Sequence, residues 1–291
     1  MSAGRDACAA SFPDDFGQER FVADTPPPLL AVRSASKAFG AVQALYKVDF
    51  ELRGGEVMAL VGDNGAGKST LIKGIAGIYP FDEGEILLEG ERVVIHGPRD
   101  AARRGIEIVY QDLALADNLD VVANMFLGRE RTLGAVVLDE SSMERTARET
   151  LDGLSVTTLK SVRQAVAGLS GGQRQSVAVA KAVMWNSRVV ILDEPTAALG
   201  VAQTRQVLNL VRRLAEHDLA VAIVTHNLHD VFEVADRITV LRLGQRVALF
   251  ERDQTTEQEV VHAITAGKLD RVPGMDGAPA EPAQAGAEVE A

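Results

Sequence analysis

The sequence predicts an α/β protein with a mostly parallel sheet, a small antiparallel β subdomain and a helical insert subdomain. Three observations carry this. Short, nearly continuous runs rich in Val and Ile alternate with helix-period segments, the pattern of parallel strands buried on both faces. Two earlier segments alternate apolar and polar residues between turn residues, as half-buried antiparallel strands do. Between the two patterns, strand signals fade.

Along the chain, Leu45 to Leu52 and Glu85 to Ile95 are the alternating segments, with Gly54, Gly55, Gly84 and Gly90 supplying turns. They predict the small antiparallel layer. Val57 to Val61 is the first continuous run and predicts a buried strand. From Leu113 to Ala167 the strand signals fade and Asp120 and Asp139 have the character of helix caps. This is the expected helical subdomain, about residues 112–168. Val189 to Leu192, Ala220 to Val224 and Ile238 to Leu241 are further buried runs. Before the second of these, Val207, Leu210, Val211 and Leu214 share one helix face, and no Pro interrupts them.

The 291 residues are 46% hydrophobic and 24% charged, which excludes a wholly disordered chain. No apolar run is long enough to cross a bilayer, and Met1 to Asp15 lacks the basic-then-apolar order of a signal peptide. The expectation is a chain that neither spans a membrane nor is exported. Cys8 is the only cysteine, so an intrachain disulfide or a cysteine metal site is excluded. Of the net charge of −11, −3 lies in residues 1–29 and −4 in residues 269–291. The near-balanced remainder offers no wide basic field, so nucleic acid is not an expected partner and a membrane link requires a protein partner. Residues 1–29, ending near Pro26 to Pro28, and residues 269–291, rich in Ala, Gly, Pro and Glu, are expected to be disordered tails around one domain at 30–268. No internal repeat is evident.

The strongest chemical signal is Gly62-Asp63-Asn64-Gly65-Ala66-Gly67-Lys68-Ser69-Thr70, which matches the phosphate-binding P-loop at every required position. Its context fits as well. Val57 to Val61 supplies the strand, the glycines let N–H groups converge on phosphate oxygens, and a helix starting near Lys68 points its positive end at the same place. Lys68 would bridge the β and γ phosphates and Ser69 would give its hydroxyl to Mg²⁺. A Gly-rich turn that merely precedes a Lys lacks this context, and the core is expected to be a P-loop NTPase.

Arg188 to Pro195 is an apolar strand ending in two carboxylates, Asp193 and Glu194. Adjacent acids on a buried strand need compensation, so they belong at its carboxyl end beside a cation. Asp193 would hold the Mg²⁺ and Glu194, one residue on, would polarise an attacking water. Acids that only cap a strand before a Pro turn are the plain alternative, which the P-loop outweighs.

Leu169-Ser170-Gly171-Gly172-Gln173 opens a helix expected over Gln173 to Met184 and is a second anion site of the same physical type without a Lys. Alone, it reads equally well as a plain helix cap. P-loop, this sequence and the acidic strand in this order resemble the ATP-binding cassette of ABC transporters, over roughly residues 32–265. The resemblance implies the ABC ATPase fold, ATP and Mg²⁺ as cofactors, and a signature Leu169 to Gln173 that acts on the ATP of a second chain. It further implies that Gln111 is the Q-loop glutamine, which contacts the metal and the transmembrane partner. His226 is the implied switch histidine contacting the γ phosphate, and Phe39 the aromatic that stacks on adenine. Within the family, the P-loop, Met125 to Glu130 and Gln173 to Gln175 are similar to ATPases of monosaccharide importers of the ribose, xylose and fructose type. One departure stands out, Gly200 where the family pattern has an Asp that reaches across the dimer.

The implied function is ATP hydrolysis that energises a membrane importer. Two chains would form a homodimer around two ATP molecules and drive separate transmembrane permease subunits. A periplasmic or extracellular solute-binding protein would act indirectly, and the chain would sit peripherally at the cytoplasmic face of the membrane. Soluble cassette ATPases acting on DNA or ribosomes are the alternative class, but no long heptad insert and no second cassette is present. A non-hydrolysing scaffold would have lost Lys68 or Glu194, and an exporter subunit is separated from an importer by its membrane partner.

Overall fold

The computed structural model describes residues 27–134 and 137–267. The expected tails lie outside the described residues except for positions 27–29, and so does Cys8. The chain runs β1 (Leu30–Phe39), β2 (Val42–Leu52), β3 (Val57–Val61), α1 (Lys68–Ile75), β4 (Glu83–Leu88), β5 (Glu91–Val93), α2 (Pro98–Arg103) and β6 (Ile106–Val109). It continues through α3 (Val121–Phe126), β7 (Thr132–Leu133), β8 (Val137–Leu138), α4 (Glu140–Gly153) and α5 (Gly171–Val183). Last come β9 (Val189–Asp193), α6 (Val201–Glu216), β10 (Ala220–Val224), α7 (Leu228–Val234), β11 (Arg237–Arg242), β12 (Gln245–Glu251) and α8 (Glu257–Ala266).

Two main sheets result. An antiparallel layer has the order β2-β1-β4-β5, and a six-stranded sheet has the order β12-β11-β3-β10-β9-β6, parallel except for β12. The continuous apolar runs are explained by burial on both faces. Val57, Ala59 and Val61 of β3 face one core with α5 and α6, whereas Met58 and Leu60 face the other core with the antiparallel layer and α1. The amphipathic helix is α6, whose Val207, Leu210, Val211 and Leu214 are buried.

Register places the site. Val224 of β10 pairs with Leu60 of β3 on one side and with Asp193 of β9 on the other. The three carboxyl ends therefore lie in one row, and the loop leaving each strand emerges along one edge.

Several elements differ from expectation. No alternation announces β1, because its pairing with β2 is broken by register shifts and Ser34 sits at φ 48°. The alternating segment from Glu85 to Ile95 does turn at Gly90, with Glu89 also at positive φ, and forms the antiparallel hairpin β4-β5. Asp120 and Asp139 do cap α3 and α4, accepting from Ala123 N at 2.7 Å and Ser142 N at 3.0 Å. The same stretch also holds the two-stranded ribbon β7-β8, absent from a purely helical reading.

Candidate active site

The loop from β3 to α1 has steric demands that its sequence meets at two glycines. A Cβ on Gly62 would stand 2.1 Å from Leu241 O, and one on Gly67 would stand 2.8 Å from Ala44 O, with φ at 149° and 103°. Lys68 folds back on the loop and donates to Gly62 O at 2.6 Å and Asp63 O at 3.1 Å. Burial pushes the Lys68 pKa down, and Glu194, Asp193 and Asp63 only partly restore it. An anion in the loop would complete that compensation.

The loop forms one wall of a cleft of about 450 Å³ that also holds Gln111, Asp193 and Glu194. Three segments far apart in sequence, Asn64 to Thr70, Gln111 and the two acids, thus share one space, together with Val42, Gln43 and Ala44 of β2. Burial and the charge of Glu194 raise the Asp193 pKa, while Lys68 and Lys73 act in the other direction. A divalent cation would relieve both causes. The oxygen donors at hand, the Ser69 hydroxyl, the Gln111 amide and the Asp193 carboxylate, fit Mg²⁺ held largely through phosphates. Among the described residues no cluster of three or more His, Cys, Asp or Glu forms an all-protein metal cage.

Glu194 adopts φ 49°, a left-handed backbone that costs a non-glycine residue about 1–3 kcal/mol. Its N–H donates to Val224 O at 2.8 Å, and its Oε1 lies 2.9 Å from His226 Nδ1. Glu194 is half-buried and His226 is exposed. The next turn is fastened by Thr196, whose buried hydroxyl donates to Asp230 Oδ2 of α7 at 2.6 Å. Neither the Glu194–His226 contact nor the Thr196–Asp230 bond follows from spacing, because 32 and 34 residues separate the partners.

Phe39 does not line the cleft. It pairs across the β1-β2 turn with Val42, which does, and its ring is half-exposed at 47%. The segment Leu169 to Gln173 also lies outside the cleft lining. Ser170 is the N-cap of α5, so the helix begins two residues before Gln173. Gln173 N donates to Ser170 Oγ at 3.3 Å while Ser170 N donates to Gln173 Oε1 at 2.9 Å, a reciprocal capping box. Gln173 Nε2 also donates to Thr158 O at 2.6 Å, and Leu169 is buried. Gly171 packs against Leu199 and Gly172 against Gln203, which sets the turn after β9 beside this helix start. Gly200 caps α6 at an ordinary φ of −76°, with nothing within 4 Å of where a Cβ would stand.

A family profile described as ABC transporter matches residues 45–197. The fructose import ATP-binding protein of Rhizobium meliloti is 46% identical over 247 residues, covering 83% of this chain and 95% of that protein. The xylose/arabinose import ATP-binding protein of Sulfolobus acidocaldarius is 44% identical over 244 residues, covering 84% and 96%. Among solved structures, a nucleotide-free ATP-binding cassette from an ABC transporter superposes with a TM-score of 0.71 at 25% identity, over 82% of this chain and 96% of that one.

Proposed function

The chain belongs to the ABC transporter family, and from that premise we propose that it is the ATP-binding and hydrolysing subunit of a membrane importer for a monosaccharide. The observation that carries the catalytic part is the shared cleft of P-loop, Gln111, Asp193 and Glu194, whose carboxylate His226 contacts. The sugar rests on likeness to the fructose and xylose/arabinose import proteins.

In this reading the N–H groups of Gly62 to Thr70 and the Lys68 ammonium hold the phosphates. Ser69, Gln111 and Asp193 hold Mg²⁺, which when bound neutralises phosphate charge. Glu194 accepts a proton from the attacking water, and His226 orients that carboxylate and reaches toward the γ phosphate. Phe39 stacks on adenine. One chain offers half a site, because its P-loop and its signature, Leu169 to Gln173, do not share a cleft. A two-fold homodimer completes both sites, with each signature facing the other chain's P-loop.

The partners are transmembrane permease subunits docking near Gln111 and, beyond them, a periplasmic or extracellular solute-binding protein. The chain is peripheral at the cytoplasmic face. No helix among the described residues is long and apolar enough to cross a membrane. Reconstitution with the co-purified permease tests the whole reading. ATPase activity stimulated by fructose, xylose or ribose through a binding protein is the expected result, and capture of an exporter-type permease would sink the importer assignment.

Gly200 carries a separate prediction. Gly200→Asp introduces no clash and adds a better N-cap to α6, worth a few tenths of a kcal/mol. If the missing carboxylate loosens coupling between the two sites, the variant shifts the Hill coefficient of ATP hydrolysis and leaves nucleotide affinity nearly constant. An unchanged coefficient would mean that backbone contacts serve the interface alone.

A further inference from the structure

Beside the cleft, two aromatic rings stand edge to face. The Phe39 and Tyr79 centroids are 5.2 Å apart at 83°, the favoured T-shaped arrangement. Tyr79 comes from the loop after α1, and its hydroxyl donates to Thr70 O at 3.1 Å. Thr70 is the last residue of the phosphate-binding motif, in the first turn of α1, and lines the cleft. Tyr79 is therefore in contact with both the helix start of the motif expected to hold phosphate and the ring expected to hold the base. Burial raises the pKa of the Tyr79 phenol, so the hydroxyl stays a donor at neutral pH.

A second set of contacts, from Lys37, meets both rings at once. Lys37 Nζ lies 5.6 Å from the Phe39 centroid and 5.5 Å from that of Tyr79. Asp82 holds this arrangement, accepting from Lys37 Nζ at 2.7 Å and from Ala38 N at 2.7 Å. The end of β1 is thus clamped from the loop that also carries Tyr79. Phe39 itself keeps about half of its surface free.

We propose that Tyr79 is a positioning residue for the nucleobase: its hydroxyl bond to Thr70 and its ring against Phe39 fix the stacking surface at a set distance and tilt from the phosphate loop. The inference rests on the reading of Phe39 as the base-stacking residue and goes beyond it. A free Phe39 ring on an exposed turn would have to be ordered by each nucleotide that binds, at an entropic cost to affinity. A tethered ring is ordered beforehand. Tyr79 touches no phosphate in this scheme, so it acts on the base end of the ligand alone.

The test compares ADP with inorganic pyrophosphate, which share phosphates but not the base, in competition against a fluorescent ADP on the full chain with Mg²⁺. Tyr79→Phe removes only the hydroxyl bond, and Tyr79→Leu removes the ring as well. Tyr79→Phe is expected to weaken ADP about threefold to tenfold, the range set by one hydrogen bond, with pyrophosphate nearly unchanged. Tyr79→Leu should weaken ADP further. In ATP hydrolysis Tyr79→Phe should raise KM and leave kcat nearly constant. Equal loss for ADP and pyrophosphate would overturn the proposal, since Tyr79 would then only brace the phosphate loop. No change for either ligand would overturn it also. Phe39→Ala separates the two levels. If it leaves ADP affinity intact, the stacking role of Phe39 fails and takes the inference with it, whereas loss in Phe39→Ala without loss in either Tyr79 variant refutes the tether alone.

Discussion

Glu194→Gln is expected to lose ATP turnover by about 10²- to 10⁴-fold while nucleotide still binds, the range for removal of a general base. The backbone fixes where this side chain points. Glu194 is held at φ 49° by its N–H bond to Val224 O, and neither depends on the carboxylate charge. The amide keeps an oxygen for His226 and the same shape, but it cannot take a proton from water. An ATP-stabilised dimer should therefore accumulate, visible by size-exclusion chromatography with ATP in the buffer. Near-normal hydrolysis would remove Glu194 from the role of base. Lys68→Ala should behave differently and weaken nucleotide binding itself, because the loop loses its phosphate countercharge.

The second large effect is recovery by mixing. Lys68→Ala and Ser170→Arg chains should each be inactive, the first for want of phosphate binding and the second because the bulky cation fills the signature. A mixed dimer has one composite site with intact Lys68 and Ser170 and another with both damaged. Random pairing of equal amounts makes half the dimers mixed, so recovery approaches about a quarter of wild-type activity if sites fire singly. Ser170 also caps α5, and its loss costs about 0.5–2 kcal/mol of stability, so the variant's thermal melt must be recorded alongside. Hydrolysis linear in enzyme down to high dilution, with no recovery on mixing, would sink the two-chain mechanism.

The parallel sheet was legible because a strand buried on both faces has no polar face to spare. Val57–Val61 and Ala220–Val224 have the boundaries that their apolar runs predict. β1 was not legible. Its bulges at Ser34 and Lys37 answer to its neighbours β2 and β4, and the period-2 signal is lost in local sequence. The site divides along the same line. The P-loop is contiguous, and its stereochemistry is written into its glycines. Gln111, Asp193 and Glu194 were reached through family resemblance and strand ends, and they do line one cleft with it. Contacts such as Glu194–His226 and Tyr79–Thr70 depend on strand order and loop trajectory. Nothing local marks Tyr79 in Gly77-Ile78-Tyr79-Pro80, a segment that reads only as a turn.

The open surroundings of Gly200 make it a position for a reporter. Its φ of −76° suits any residue, and within one chain no atom lies within 4 Å of where a side chain would begin. Because Cys8 is the only native thiol, a Cys8→Ser, Gly200→Cys chain would carry one label per subunit beside the signature helix. Pulsed electron resonance between two such labels would convert opening and closing of the assembly into a distance distribution, read separately with ATP, with ADP and with the transported solute present.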